Sequence, residues 1–100
     1  MSKHTNVVRF TVKEGKQSEF EALFKNRENW DGQILNILAK TGGQTYVGYG
    51  LWRGEEKMVK VRPKMISLLD GARHLLEELS PELGVTDPVS GIVVSEQGNV

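Results

Sequence analysis

Ile34-Leu35-Asn36-Ile37-Leu38-Ala39 is a strand-length run, apolar on both faces but for one amide. A sheet covered on one side alternates apolar and polar residues, whereas a strand buried from two sides reads as a nearly unbroken apolar run. Ile92-Val93-Val94 has the same character, and Val7-Val8-Arg9-Phe10-Thr11-Val12 also puts apolar groups on each side. Working outward from these strands, only two helical regions are available, and they fit one face. The other face needs a partner, most simply a second copy of the chain.

The elements follow from changes of period. Residues 7–12 alternate and are rich in β-branched and aromatic types, with Val8, Phe10 and Val12 pointing one way and Val7, Arg9 and Thr11 the other. From Gln17 to Lys25 the period becomes helical, with Phe20, Leu23 and Phe24 at i, i+3 and i+4. Asn29-Trp30-Asp31-Gly32 is turn chemistry and precedes a strand from Gln33 to Lys40. Thr41-Gly42-Gly43-Gln44 joins it as a hairpin to a third strand, Thr45 to Arg53. In that strand Tyr46, Gly48, Gly50 and Trp52 share one face, and Val47, Tyr49 and Leu51 the other. A helical start after Gly54 is expected to end before Pro63, with a short strand over Met58–Val61 as the alternative. Pro63 then opens a helix carrying an apolar stripe of Met65, Leu68, Leu69, Ala72, Leu75, Leu76 and Leu79, closed by Ser80-Pro81 and Gly84. Asp87-Pro88 reads as a turn, and Val89 to Ser95 as the last strand. The order strand, helix, strand, strand, helix, strand predicts one α+β domain over residues 1–100. It is the ferredoxin-like split βαβ plan: a four-stranded antiparallel sheet with both helical regions on one face.

Composition excludes several functions. Thirteen basic and thirteen acidic side chains cancel, and no basic run marks a nucleic-acid or anionic-membrane surface. With no cysteine there are no disulfides, thiolate nucleophiles or thiolate metal sites, which fits a cytoplasmic location. The opening residues lack the apolar core of a signal peptide, and no apolar stretch approaches the ~18 residues of a membrane span. Two distant histidines and scattered acids predict no metal site.

Two segments carry a resemblance. Val7-Val8-Arg9-Phe10-Thr11-Val12-Lys13-Glu14-Gly15-Lys16-Gln17-Ser18-Glu19-Phe20 is a strand, a glycine-lysine turn and an acidic-aromatic helix start. Tyr46-Val47-Gly48-Tyr49-Gly50-Leu51-Trp52 ends a third strand in tryptophan, ahead of Glu55, Glu56 and Arg62-Pro63-Lys64-Met65. In these features the chain resembles the antibiotic biosynthesis monooxygenase-like domains of the dimeric α+β barrel superfamily. The resemblance implies a homodimer whose two sheets face each other as a barrel, each subunit keeping a pocket between sheet and helices. Relatives include cofactor-independent oxygenases of polycyclic phenols, quinol oxidases and haem-degrading enzymes. The chain departs at Lys64, where some relatives have histidine. Val8, Val59 and Leu69 stand where the haem-degrading branch has asparagine, tryptophan and histidine, which speaks against haem chemistry.

The candidate residues each have a structural and a functional reading. Trp52 either closes the sheet-helix layer or walls an aromatic pocket made roomy by Gly48 and Gly50. His74, beside the helical stripe, is a surface residue unless it reaches the pocket as a proton acceptor. Asn36, inside an apolar run, is expected in the sheet interior, satisfied structurally or orienting a substrate oxygen. Tyr46 and Tyr49 lie on opposite faces, so at most one lines the pocket. Arg9 calls for a carboxylate partner, expected from the second subunit, and His4 is given no role. The expected function is a cofactor-independent monooxygenase or quinol oxidase acting on a small aromatic substrate, with no metal or other cofactor. His74 and Asn36 are its catalytic candidates; Trp52, Tyr49, Tyr46, Gly48 and Gly50 are its substrate-binding candidates. The alternative is a non-catalytic homodimeric module that binds a small hydrophobic ligand.

Overall fold

A computed structural model describes residues 2–98. The strands are β1 (His4–Thr11), β2 (Gln33–Lys40), β3 (Thr45–Trp52) and β4 (Asp87–Ile92); the helices are α1 (Gln17–Lys25) and α2 (Glu55–Ala72). They form one sheet of order β2-β3-β1-β4 with every neighbouring pair antiparallel, the ferredoxin-like α+β arrangement.

The core lies wholly on the helical side. One cluster joins Phe10, Val12, Phe20 and Tyr46 to Ala72, Leu75 and Leu76; a second joins Trp30 and Trp52 to Met58 and Val61. Phe20 is the hub of the first, its ring centroid 5.2 Å from Phe10 and 5.1 Å from both Phe24 and Tyr46. In the second, Trp30 stacks on Trp52 at 6.4 Å. The opposite sheet face is uncovered in the single chain. Ile37, Tyr49, Val7 and Val89 stand in register across all four strands there, with Leu35 beside Leu51 in the next row.

Several boundaries differ from expectation. Strand β1 begins at His4, three residues earlier than the alternation suggested, and His4, given no role above, is buried opposite Trp52. Residues 57–62 are helix, and α2 runs through Pro63 without a break. A proline inside a helix removes one backbone donor and crowds the carbonyl four residues earlier. Pro63 and Val59 are both exposed, so that carbonyl lies on a side where water replaces the lost bond. Pro63→Ala restores the bond and is expected to stabilise the fold by about 1–2 kcal/mol in urea unfolding, part of the helix gain being offset by a freer unfolded chain.

The apolar stripe leaves the helix early. After Ala72 the chain makes one 3₁₀ turn, Arg73–Leu75, and then extends. Lys13 N–H donates to the Leu75 carbonyl and Glu77 N–H to that of Thr11, both at 2.8 Å, so the end of β1 captures this segment. Leu75 and Leu76 are buried as expected, but from the 3₁₀ turn and from extended backbone respectively. Strand β4 starts at Asp87, not Val89, and ends at Ile92. Pro88 fits within it because β4 is an edge strand with one side unpaired. Asp87 thereby faces Arg9 across the ladder and accepts its guanidinium at 2.6 Å, so the carboxylate expected from a second subunit is supplied within the chain.

Tyr46 marks the lower end of the core. Its phenol is buried and donates to Glu21 Oε2 at 2.6 Å. Burial, followed by the Glu21 carboxylate, pushes the Tyr46 pKa up to about 12, and the same bond holds Glu21 below its ordinary range. The folded pKa of Tyr46 lies above that of the unfolded chain. Its contribution is therefore complete below about pH 10 and is lost as pH rises through about 12. Titration of tyrosinate absorbance is expected to show one phenol ionising near pH 12, a phase that Tyr46→Phe removes.

Candidate functional site

Between the two core clusters lies a cavity of about 160 Å³. Its floor is the inner face of the sheet, where Asn36 of β2, Gly50 of β3 and Asn6 of β1 stand in register. Its roof is α2 through Met65, Leu68 and Leu69, and its ends are closed by Phe20 and Phe24 on one side and Trp30 on the other. The wall is almost entirely apolar. It contains no carboxylate, imidazole, ammonium or guanidinium among the described residues; its polar side chains are carboxamides.

Two of these carboxamides are oriented by partners outside the cavity. The Trp52 indole N–H, a donor only, gives its hydrogen bond to Asn6 Oδ1 at 2.8 Å. That bond decides the amide's orientation and turns Asn6 Nδ2 inward, where the thioether of Met65 at 3.9 Å is its one acceptor. Gln33 works the same way: its Oε1 accepts from Arg27 Nη2, leaving Nε2 beside Gly50. Gln33 reaches this face because β2 carries a bulge. Gln33 is opposite Trp52 and Leu35 is opposite Leu51, so Ile34 is the extra residue and the alternation reverses across it.

Gly50 makes room for the cluster. A Cβ there would sit 2.9 Å from Trp52 Nε1, 3.0 Å from Gln33 Nε2 and in collision with Asn6 Oδ1. Two oriented amides thus meet over a bare stretch of backbone in a mostly apolar cavity, Gln33 presenting Nε2 there and Asn6 its Oδ1, with Asn6 Nδ2 turned toward Met65. Such a pair suits a ligand oxygen, more so an oxygen that carries or acquires negative charge.

The sequence candidates fall in different places. Gly48, Gly50 and Asn36 line the cavity. Asn36 is exposed at its mouth, not buried in the sheet, because β2 is an edge strand. Trp52 is fully buried behind the wall, stacked on Trp30, and acts on the cavity through Asn6. Tyr49 borders the cavity from the strand between the two glycines, while its side chain alternates to the outer face beside Val7 and Ile37. Tyr46 belongs to the core and to Glu21. His74 is exposed on the 3₁₀ turn and is not part of the cavity wall. Asn6, Gln33 and Trp30 are wall residues absent from the expected set. Carrying the β1 alternation back from Val8 would have found Asn6.

No protein-family model and no curated protein sequence matches the chain. Solved structures do. ActVA-Orf6, a monooxygenase from Streptomyces coelicolor determined in complex with nanaomycin D, aligns with a TM-score of 0.72 at 16% identity, over 99% of this chain and 94% of that one. SnoaB, a cofactor-independent oxygenase from Streptomyces nogalater, aligns with a TM-score of 0.68 at 20% identity, over 98% and 97%. A dimeric ferredoxin-like protein from an uncultured marine organism gives 0.73 at 15% identity, over 100% and 95%. At these identities the likeness is one of fold: the chain has the architecture of the antibiotic biosynthesis monooxygenase-like proteins. Among the described residues there is no cluster of three or more metal-ligating side chains, and no helix is long and apolar enough to cross a membrane.

Proposed function

We propose that the cavity binds a small, electron-rich aromatic molecule, a quinol or phenol, and that the protein oxidises it with molecular oxygen without a bound metal or flavin. The observation that carries this reading is a pair of oriented amide donors in an otherwise apolar cavity, Asn6 Nδ2 facing Met65 and Gln33 Nε2 beside Gly50. The volume of about 160 Å³ is close to the ~150 Å³ of an apolar cavity known to admit benzene, so one ring fits where a polycycle would not. The fold shared with SnoaB and ActVA-Orf6 supports the same chemistry.

In this scheme the amide donors hold the ring oxygen and favour its deprotonated form. The proton leaves to water at the mouth beside Asn36, since the wall offers no basic side chain. The anion then passes two electrons in all to oxygen, so that quinol and O₂ become quinone and hydrogen peroxide. Apolar walls keep water from the radical stage. We further propose that the working unit is a homodimer closed over the apolar outer face of the sheet; that one neighbour is a dimeric ferredoxin-like protein supports the dimer.

Oxygen uptake with a panel of hydroquinones and phenols tests the proposal. The expected result is saturable, oxygen-dependent turnover that Asn6→Ala lowers by about 10²-fold. The lack of a titratable proton acceptor in the wall favours one other reading, a binding module. Saturable binding of the same rings with no oxygen uptake above background would decide for it.

A further inference from the structure

Beside the cavity, across shared walls that include Trp30, lies a second recess of different chemistry. The two share Phe24, Trp30, Gln33 and Asn36 as walls. The second, about 220 Å³, is bounded also by Lys25, Arg27 and Asn29 and is as polar as the first is apolar.

Arg27 is its central group. The guanidinium carbon lies 3.9 Å from the centre of the Trp30 ring, Nη2 donates to Gln33 Oε1, and Nη1 donates to the Glu28 backbone carbonyl at 2.6 Å. The aromatic face and both oxygen acceptors are uncharged. Among the described residues no carboxylate comes within 4.0 Å of this guanidinium. The Glu28 carboxylate turns instead to Lys64 at 3.4 Å, and Glu21 takes Tyr46 and Lys25. Burial pulls the Arg27 pKa down from its ordinary value, and the more distant Glu28 charge offsets this only in part. An immobilised planar fork that still lacks an anion is built to receive one, and its geometry matches a carboxylate.

We propose that the Arg27 recess is the subsite for a carboxylate borne by the aromatic ligand, so that the ligand class is a hydroxylated aromatic acid. This rests on reading the neighbouring cavity as the ring's pocket. The ring lies in the apolar cavity with its hydroxyl toward Asn6 Nδ2 and Gln33 Nε2. The carboxylate passes between Trp30 and Gln33 to the guanidinium. Gln33 joins the two ends, because Arg27 holds its oxygen and thereby aims its amide nitrogen at the ring.

Calorimetric titration of the intact protein with hydroquinone and with gentisate, its carboxylated form, tests this. The expected result is gentisate binding at least about tenfold tighter, with the advantage shrinking as salt is added. In Arg27→Met the two affinities are expected to fall within about twofold of each other. In Arg27→Lys, which keeps the charge but loses the fork, the ratio is intermediate, and this variant carries the test if Arg27→Met does not fold. Hydroquinone binding with no advantage for the acid overturns the subsite and leaves the ring pocket standing. An acid preference that survives in Arg27→Met places the anion elsewhere and overturns it as well. Failure of both ligands to bind removes the ring pocket, and the subsite with it.

Discussion

Gly50→Val is expected to lower the melting temperature by about 10 °C or more and to abolish binding of any ring in the cavity. The new side chain would start from a Cβ within 3.0 Å of three polar side-chain atoms. Gln33 can swing away, being tethered only at its tip. Trp52 cannot, since it is fully buried and stacked on Trp30. Asn6 would have to rotate, which strips the indole N–H of its acceptor. An unsatisfied buried donor costs about 1–3 kcal/mol, and overpacking adds a similar amount. For a domain of this size each kcal/mol moves the midpoint by roughly 4–8 °C. Gly48→Ala is the matched control two residues away on the same face. Its Cβ would meet Phe10 at 3.4 Å, an ordinary contact, so stability is expected to stay within about 1 kcal/mol while the cavity shrinks. Differential scanning calorimetry of the two variants checks the contrast. Equal melting temperatures would mean that the cluster at Gly50 is not held as described.

The same bulge that builds this cluster explains what a reading of the sequence reaches and what it does not. Element order and the face assignment of β3 follow from local periodicity, and the structure keeps both. Tyr46, Gly48, Gly50 and Trp52 do share the inner face, and two helices do cover only that face. Strict alternation along β2, however, places Gln33 with Leu35 and Ile37 on the outer side. The extra residue at Ile34 reverses this, and a bulge is set by pairing with β3, which no local pattern displays. The stripe that ends α2 misled for a related reason. Leu75 and Leu76 have helical spacing from Leu68 and Leu69, but the backbone groups at the end of β1 need partners and draw the chain out of the α-helix, through a 3₁₀ turn into extended backbone at Leu76. The apolar neighbours of Asn36 predict that it is buried. Those neighbours are apolar for the sake of the outer face, and the strand itself is an edge. Composition thus reports that a surface will be covered, while the inner site depends on which strand lies at the rim.

That uncovered surface leads to the second large effect. The chain is expected to sediment at micromolar concentration as a particle of twice its 11.2 kDa, and Val7→Asp to yield a poorly stable monomer. Val7 is in register between Tyr49 and Val89, with Ile37 beyond Tyr49, so the mutated position is central in the apolar row. In the isolated subunit Leu35 is 43%, Ile37 46% and Val89 62% exposed, large side chains whose burial against a second sheet supplies the association energy. A carboxylate at the centre of such an interface loses its water and finds no cation opposite. The nearest one on this face, Arg9, is already bound to Asp87. An unpaired charge there costs several kcal/mol per subunit, and symmetry brings two of them together, so the dimerisation constant is expected to weaken by more than about 10³-fold. Val59→Asp makes the same chemical change at an exposed position on α2, away from the sheet face, and is expected to leave the assembly intact. Wild-type protein found as a stable 11.2 kDa species across micromolar concentrations would refute the paired sheets outright. The cavity would survive that result, because every residue that builds it belongs to one chain.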